Sequence, residues 1–193
     1  MVIKIEENDA LIIVDMQKCF CLGGALPVKD GDQIVPVLNE YIVKFRRARA
    51  QIFATRDWHP PNHRSFKNYG GRWPPHCIQN TRGADFHPNL KLPVDTTVIS
   101  TGESPFVEGY SGFDHTDIAH RLKANKIKRV FVGGLATDYC VKYTVLDALE
   151  KGFETILLVD AMKGINEKPD DAKKAIDKML RNGAKTITLN ELE

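Results

Sequence analysis

Cys140 has the strongest case in this sequence for covalent chemistry. It falls in the first turn of a predicted helix, directly after the run Gly133-Gly134-Leu135-Ala136-Thr137-Asp138-Tyr139. The N-terminus of a helix favours a thiolate through its unpaired amides and the macrodipole. The same amides can hold an oxyanion. A strand, a sharp turn and a helix also present a nucleophile at the edge of a sheet. Locally, the residues fit equally well a buried cysteine that packs as a small hydrophobe. Asp57 and His59, with His76 further on, offer one oxygen and two nitrogens. Zinc, iron or manganese accept such a set and keep positions for water or substrate. His63 is a candidate additional ligand. Taken singly, each of these histidines reads as a cap on loop backbone. His87, before Pro88, reads as structural, and His115 and His120 as solvated helix residues. Phe20, Trp73 and Tyr110 stand in loops nearby and can stack around a flat ring, or pack a long loop onto a sheet.

Such residues need elements to position them. Six short apolar runs read as buried strands: residues 10–14, 51–55, 96–100, 129–132, 154–159 and 185–189. Each is of strand length and rich in β-branched side chains, the pattern of parallel strands covered on both faces. Between them, residues 33–50, 114–125, 138–151 and 169–181 carry apolar side chains at amphipathic-helix spacing. Gly152 and Gly183 stand where the last two helices should stop. This alternation predicts an α/β fold, a three-layer α/β/α sandwich around a six-stranded, mostly parallel, Rossmann-like sheet. Ligands of doubly wound sheets bind at the carboxyl ends of the strands. Asp15, Asp57, His59, Thr101, the segment leading to Cys140, and Asp160 all fall at such ends. One segment breaks the rhythm. Residues 56–93 are rich in Pro, His, Asn and Gly and hold four of the six histidines. A loop of that length in a compact domain is functional or disordered, and its aromatic residues argue against disorder.

Composition limits what these groups can serve. The chain has 193 residues and a formal charge of +2, from 27 basic and 25 acidic side chains, so it has no strong basic field for nucleic acid. Its hydrophobic fraction of 42% disfavours extended disorder. No apolar run is long enough to span a membrane, and the first nine residues lack a signal-peptide core. The expectation is a single cytoplasmic domain over residues 1–193. Four cysteines do not suggest a disulfide scaffold, so Cys19, Cys21 and Cys77 are expected to be free thiols.

The chain resembles the nicotinamidases and pyrazinamidases, within the isochorismatase-like cysteine hydrolases. The motifs that carry the resemblance run in order along nearly the whole chain. They are Leu11-Ile12-Ile13-Val14-Asp15-Met16-Gln17, Asp57-Trp58-His59-Pro60, Trp73-Pro74-Pro75-His76-Cys77, Gly83-Ala84-Asp85-Phe86-His87-Pro88, Tyr110-Ser111-Gly112-Phe113 and Ala136-Thr137-Asp138-Tyr139-Cys140-Val141. The resemblance implies a metal-containing amidohydrolase that converts nicotinamide to nicotinate and ammonia for NAD salvage, with pyrazinamide-like amides as analogues. It implies Cys140 as nucleophile and Asp15 as general base, the amides of Ala136 and Cys140 as oxyanion hole, and a cis peptide between Leu135 and Ala136. It further implies one divalent metal on Asp57, His59 and His76, zinc first and iron or manganese next, and a ring pocket of Phe20, Trp73 and Tyr110. Members of the family often form homo-oligomers.

One position departs from the pattern. The family's lysine lies nine residues before the tyrosine of Tyr110-Ser111-Gly112-Phe113, and Thr101 stands there. A lysine would lower the cysteine's pKa and hold the aspartate charged; a threonine offers only a hydroxyl. Two readings follow. The chain is an amidase with an altered site, on nicotinamide or another small amide, or it has lost the amidase reaction and kept ring binding.

Overall fold

The computed structural model describes residues 2–193. Six strands form one parallel sheet: β1 (Asp9–Val14), β2 (Gln51–Asp57), β3 (Thr97–Thr101), β4 (Arg129–Leu135), β5 (Glu154–Lys163) and β6 (Lys185–Ile187). Their spatial order is β3-β2-β1-β4-β5-β6. The chain starts in the middle of the sheet, winds out to β3, and crosses back to β4. β1 pairs with both β2 and β4, so the crevice at the ends of these strands is the switch point where a ligand site is expected.

The two-residue period of β1 builds both cores. Leu11 and Ile13 face one side and pack with Leu38, Tyr41 and Phe45 of α1 (Val35–Arg47). Ala10, Ile12 and Val14 face the other. There they meet Ile118 and Leu122 of α2 (Ile118–Ala124), Val145 and Ala148 of α3 (Lys142–Glu150), and Met179 of α4 (Asp171–Arg181). Each large apolar side chain that is fully buried contributes about 1.5–3 kcal/mol. The result is the three-layer sandwich that the pattern predicts. Pro36 sits in the first turn of α1, where a missing amide costs no helical hydrogen bond.

The structure shifts several boundaries, and three of the shifts have a clear physical reason. The second helix starts at Ile118, because 111–117 is taken up by turns in which Thr116 bonds the Gly112 carbonyl. β5 runs on to Lys163, past a register shift opposite β4 between Val132 and Gly134. Asp160 therefore lies inside a strand. Its carboxylate accepts the Tyr41 hydroxyl (2.7 Å) and the Leu189 amide (2.8 Å), so it ties layers together and does not join the crevice. Thr137–Val141 forms a π-helical turn ahead of α3. No helix of the described residues is long and apolar enough to cross a membrane.

Candidate active site and metal centre

Asp15 follows β1 directly and Asp57 closes β2, on neighbouring strands. Asp15 has φ +48°, a left-handed backbone that costs energy for a residue with a Cβ and concentrates at functional sites. Its carboxylate accepts the Thr55 hydroxyl at 2.5 Å and hydrogen-bonds to Cys140. The nucleophile candidate is carried on the π-helical turn after β4. The Leu135–Ala136 peptide before that turn is cis. Gly134 (φ +123°) permits the approach, since a Cβ there would collide with the Val14 backbone.

Asp15, Asp57 and Cys140 are buried, and their ligand atoms lie within 4.8 Å of one another. Burial raises the Asp15 carboxyl and Asp57 raises it further, against the hydrogen bonds from Thr55 and Cys140. Burial, Asp15 and Asp57 push the Cys140 thiol well above its usual value. No lysine or arginine figures among the leading influences on either group. Thr101 is also buried, but its hydroxyl turns to Asp57: Oγ1 is 3.2 Å from Asp57 Oδ1 and 3.3 Å from the Arg56 carbonyl.

The donor set Asp57, His59 and His76 is assembled, buried, and within the same 4.8 Å limit. His59 Nδ1 donates to the Gly102 carbonyl (3.1 Å) and His76 Nδ1 to the Pro74 carbonyl (2.8 Å). Each ring nitrogen that faces a carbonyl must carry the proton, so each neutral imidazole turns an Nε2 lone pair inward. Those nitrogens stand 3.2 and 3.6 Å from Asp57 Oδ2. Three lone-pair donors converge where a cation belongs, and the site fits a divalent metal. Burial would raise the Asp57 carboxyl, but His59 and His76 outweigh it and hold it far below the usual range. Burial likewise opposes a charged His59, and Asp57 overcomes it and raises that imidazole. A Cβ on Gly102 (φ +62°) would strike the His59 ring.

His63 falls outside this donor set. Its Nδ1 is 2.7 Å from the Ser65 hydroxyl and its Nε2 donates to the Val107 carbonyl at 2.7 Å, so both nitrogens are used while the ring stacks on His59. Cys21, Asp32 and His87 form another cluster within 4.8 Å. There His87 Nδ1 accepts the Asn89 amide (3.2 Å), which leaves the proton on Nε2, facing Asp32 Oδ1 at 3.3 Å. Burial, with Asp32 alongside, pushes the Cys21 thiol up to about 12. The expectation of free thiols is corrected at Cys19 and Cys77. The fold brings their Cα atoms to 5.7 Å, a bridging distance, and they form a disulfide.

Phe20, Trp73 and Tyr110 line one cavity with Leu26, Asp57, His76, Ala136, Tyr139, Cys140 and Ile165. Trp73 Nε1 donates to the Tyr110 hydroxyl at 2.8 Å, and the Trp73 ring meets Tyr139 edge-on. The reading of the sequence missed several supporting residues. Thr55 precedes Asp57 by two positions and holds Asp15. The Gln17 side chain brackets Asp57, accepting its amide and donating to its carbonyl, both at 2.8 Å. Asp138 accepts the amides of Ile165 and Asn166, which pins Ile165 at the cavity. Proximity to recognised motifs was the available signal for all three.

Comparison with known proteins agrees with this geometry. Residues 9–191 match the isochorismatase domain model. The chain is 38% identical over 205 residues to a nicotinamidase of Escherichia coli, covering 95% of this chain and 96% of that protein. A solved pyrazinamidase of Pyrococcus horikoshii in complex with zinc superposes with a TM-score of 0.90 at 53% identity, over 94% of this chain and 99% of the other. A structure from L. infantum in complex with nicotinate superposes with a TM-score of 0.93 at 33% identity, over 100% and 99%.

Proposed function

We propose, from the premise that the chain belongs to the isochorismatase family, that it is an amidohydrolase converting nicotinamide to nicotinate and ammonia, with pyrazinamide-like amides as analogues. Nicotinate so formed would enter NAD salvage. The observation that carries this reading is a single aromatic-lined cavity with the Asp57, His76 side of a donor set on one wall and Cys140 on another.

Asp57, His59 and His76 would hold the divalent ion, with zinc the first choice. When bound, the ion supplies a Lewis-acidic contact for the substrate's ring nitrogen. Phe20, Trp73 and Tyr110 stack around the ring and keep water from it. Asp15 takes the thiol proton as Cys140 Sγ bonds to the amide carbonyl carbon. The amides of Ala136 and Cys140 hold the oxyanion. Collapse breaks the C–N bond, and the proton on Asp15 passes to the leaving nitrogen, releasing ammonia. Water then attacks the thioester, losing a proton to Asp15, and the carboxylic acid leaves as the thiol is restored. Because Thr101 brings no positive charge, activation rests on proton transfer between Asp15 and Cys140.

The relatives at 30% identity or more that span most of the chain bear nicotinamidase names, which favours hydrolysis over its loss, and a binder would need neither Asp15 nor Cys140. Ammonia release from nicotinamide by zinc-loaded protein tests the proposal. Turnover above a Cys140→Ala control is expected, and none above it would sink the reading.

A further inference from the structure

The Cys19–Cys77 disulfide joins the two halves of the candidate site. Cys77 follows His76 directly. Its carbonyl accepts the His59 amide at 3.0 Å, and the Gln79 amide returns to the His59 carbonyl at 2.8 Å. Cys77 is thus attached to two of the three metal donors. It also adopts φ +43°, a conformation that persists only where surroundings impose it. Cys19 controls the facing wall. It precedes Phe20, whose ring centroid lies 5.6 Å from that of His76, and its carbonyl accepts the Leu26 amide at 2.9 Å. Phe20 and Leu26 both line the cavity. Both cysteines are buried, and 58 positions separate them.

We propose that the Cys19–Cys77 pair is a positioning element of the site: oxidised, it holds His76 and the Phe20–Leu26 wall in register, so its redox state sets metal retention and ring binding. The proposal rests on the reading of Asp57, His59 and His76 as metal donors. Reduction takes two electrons and two protons from two thiols of the glutathione class. A thiolate opens the S–S bond to a mixed disulfide, a second thiol displaces the protein sulfur, and the small thiols leave as their own disulfide. The reverse exchange restores the bridge. Outer groups that orient metal ligands matter by about 10–100-fold in metal affinity.

The experiment compares oxidised wild type, reduced wild type and Cys19→Ala, a variant that leaves the constrained backbone at Cys77 untouched. Thiol titration of the denatured, unreduced protein should find two of the four cysteines free, Cys21 and Cys140. Zinc affinity, read by competition with a chromophoric chelator, should fall about tenfold or more on reduction and in Cys19→Ala. KM for nicotinamide should rise by more than kcat falls. Reoxidation should restore wild type and leave Cys19→Ala unchanged. Four free thiols overturn the proposal. So does a lowered melting temperature with zinc affinity and KM intact, which marks the bridge as a staple only. Oxidised wild type that binds no zinc overturns the metal reading itself, and this proposal with it.

Discussion

Two clusters in this chain present three donors within the same 4.8 Å: Asp57 with His59 and His76, and Cys21 with Asp32 and His87. Composition favours the second, which has a thiol. The backbone decides for the first. Carbonyls behind His59 and His76 fix both protons on the outer nitrogens and aim lone pairs at a carboxylate. An amide behind His87 does the reverse, so that its Nε2–H already satisfies Asp32. The first cluster turns three acceptors towards one another, and the second already pairs a donor with an acceptor. What a histidine can ligate is set by the hydrogen bond on its far nitrogen.

The largest expected effect lies where the first cluster meets the nucleophile. Cys140→Ala should cost about 10⁴-fold or more in kcat, whereas Cys21→Ala should change kcat by less than about twofold; a comparable loss in both would erase the distinction between a reacting and a packed thiol. Next comes metal content. His76→Ala should lower zinc affinity by at least about 100-fold, and His87→Ala by less than about twofold; elemental analysis after dialysis against graded chelator reads both.

Thr101→Lys would place an ammonium among Asp15, Asp57 and Cys140, all of which now lack one. It should raise kcat/KM about tenfold through the charged forms of base and nucleophile; an unchanged or lower value counts against the register that puts Thr101 at that position. The smallest effect is on stability. A carboxyl raised by folding contributes stability that is complete below its unfolded value and is lost as pH rises through the folded one. Metal-free Asp15→Asn should therefore melt about 2–4 °C above metal-free wild type at pH 8. The gain should shrink towards pH 5; a constant gain would mean packing, not charge.

The parallel sheet was legible because its strands are continuous apolar runs, and the strand ends marked Asp15, Asp57 and the turn to Cys140. The three-donor cluster could be named because the histidines concentrate in the long loop. Asp160 misled because a bulge lets β5 run past it, which an apolar run cannot reveal. The hydrogen bonds of His63 were not legible, because residue type does not disclose what its nitrogens already bind. The pairing of Cys19 with Cys77 depends on how the loop folds back onto the turn after β1, a contact 58 positions apart. Thr55, Gln17 and Asp138 act through hydrogen bonds to backbone or to one carboxylate, and their types alone carry no such signal.

In the proposed reaction Cys140, with Asp15 as its base, would make the acyl bond in a pocket whose far wall carries the Asp57, His76 donors. Acid quenching of the zinc-loaded protein during nicotinamide turnover, followed by peptide mass spectrometry, tests it most directly. One nicotinoyl group is expected on the peptide bearing Cys140, absent from Cys140→Ala and reduced in amount after chelation. Nicotinoyl on Cys21, or turnover that continues in Cys140→Ala with no label on any cysteine, would contradict it.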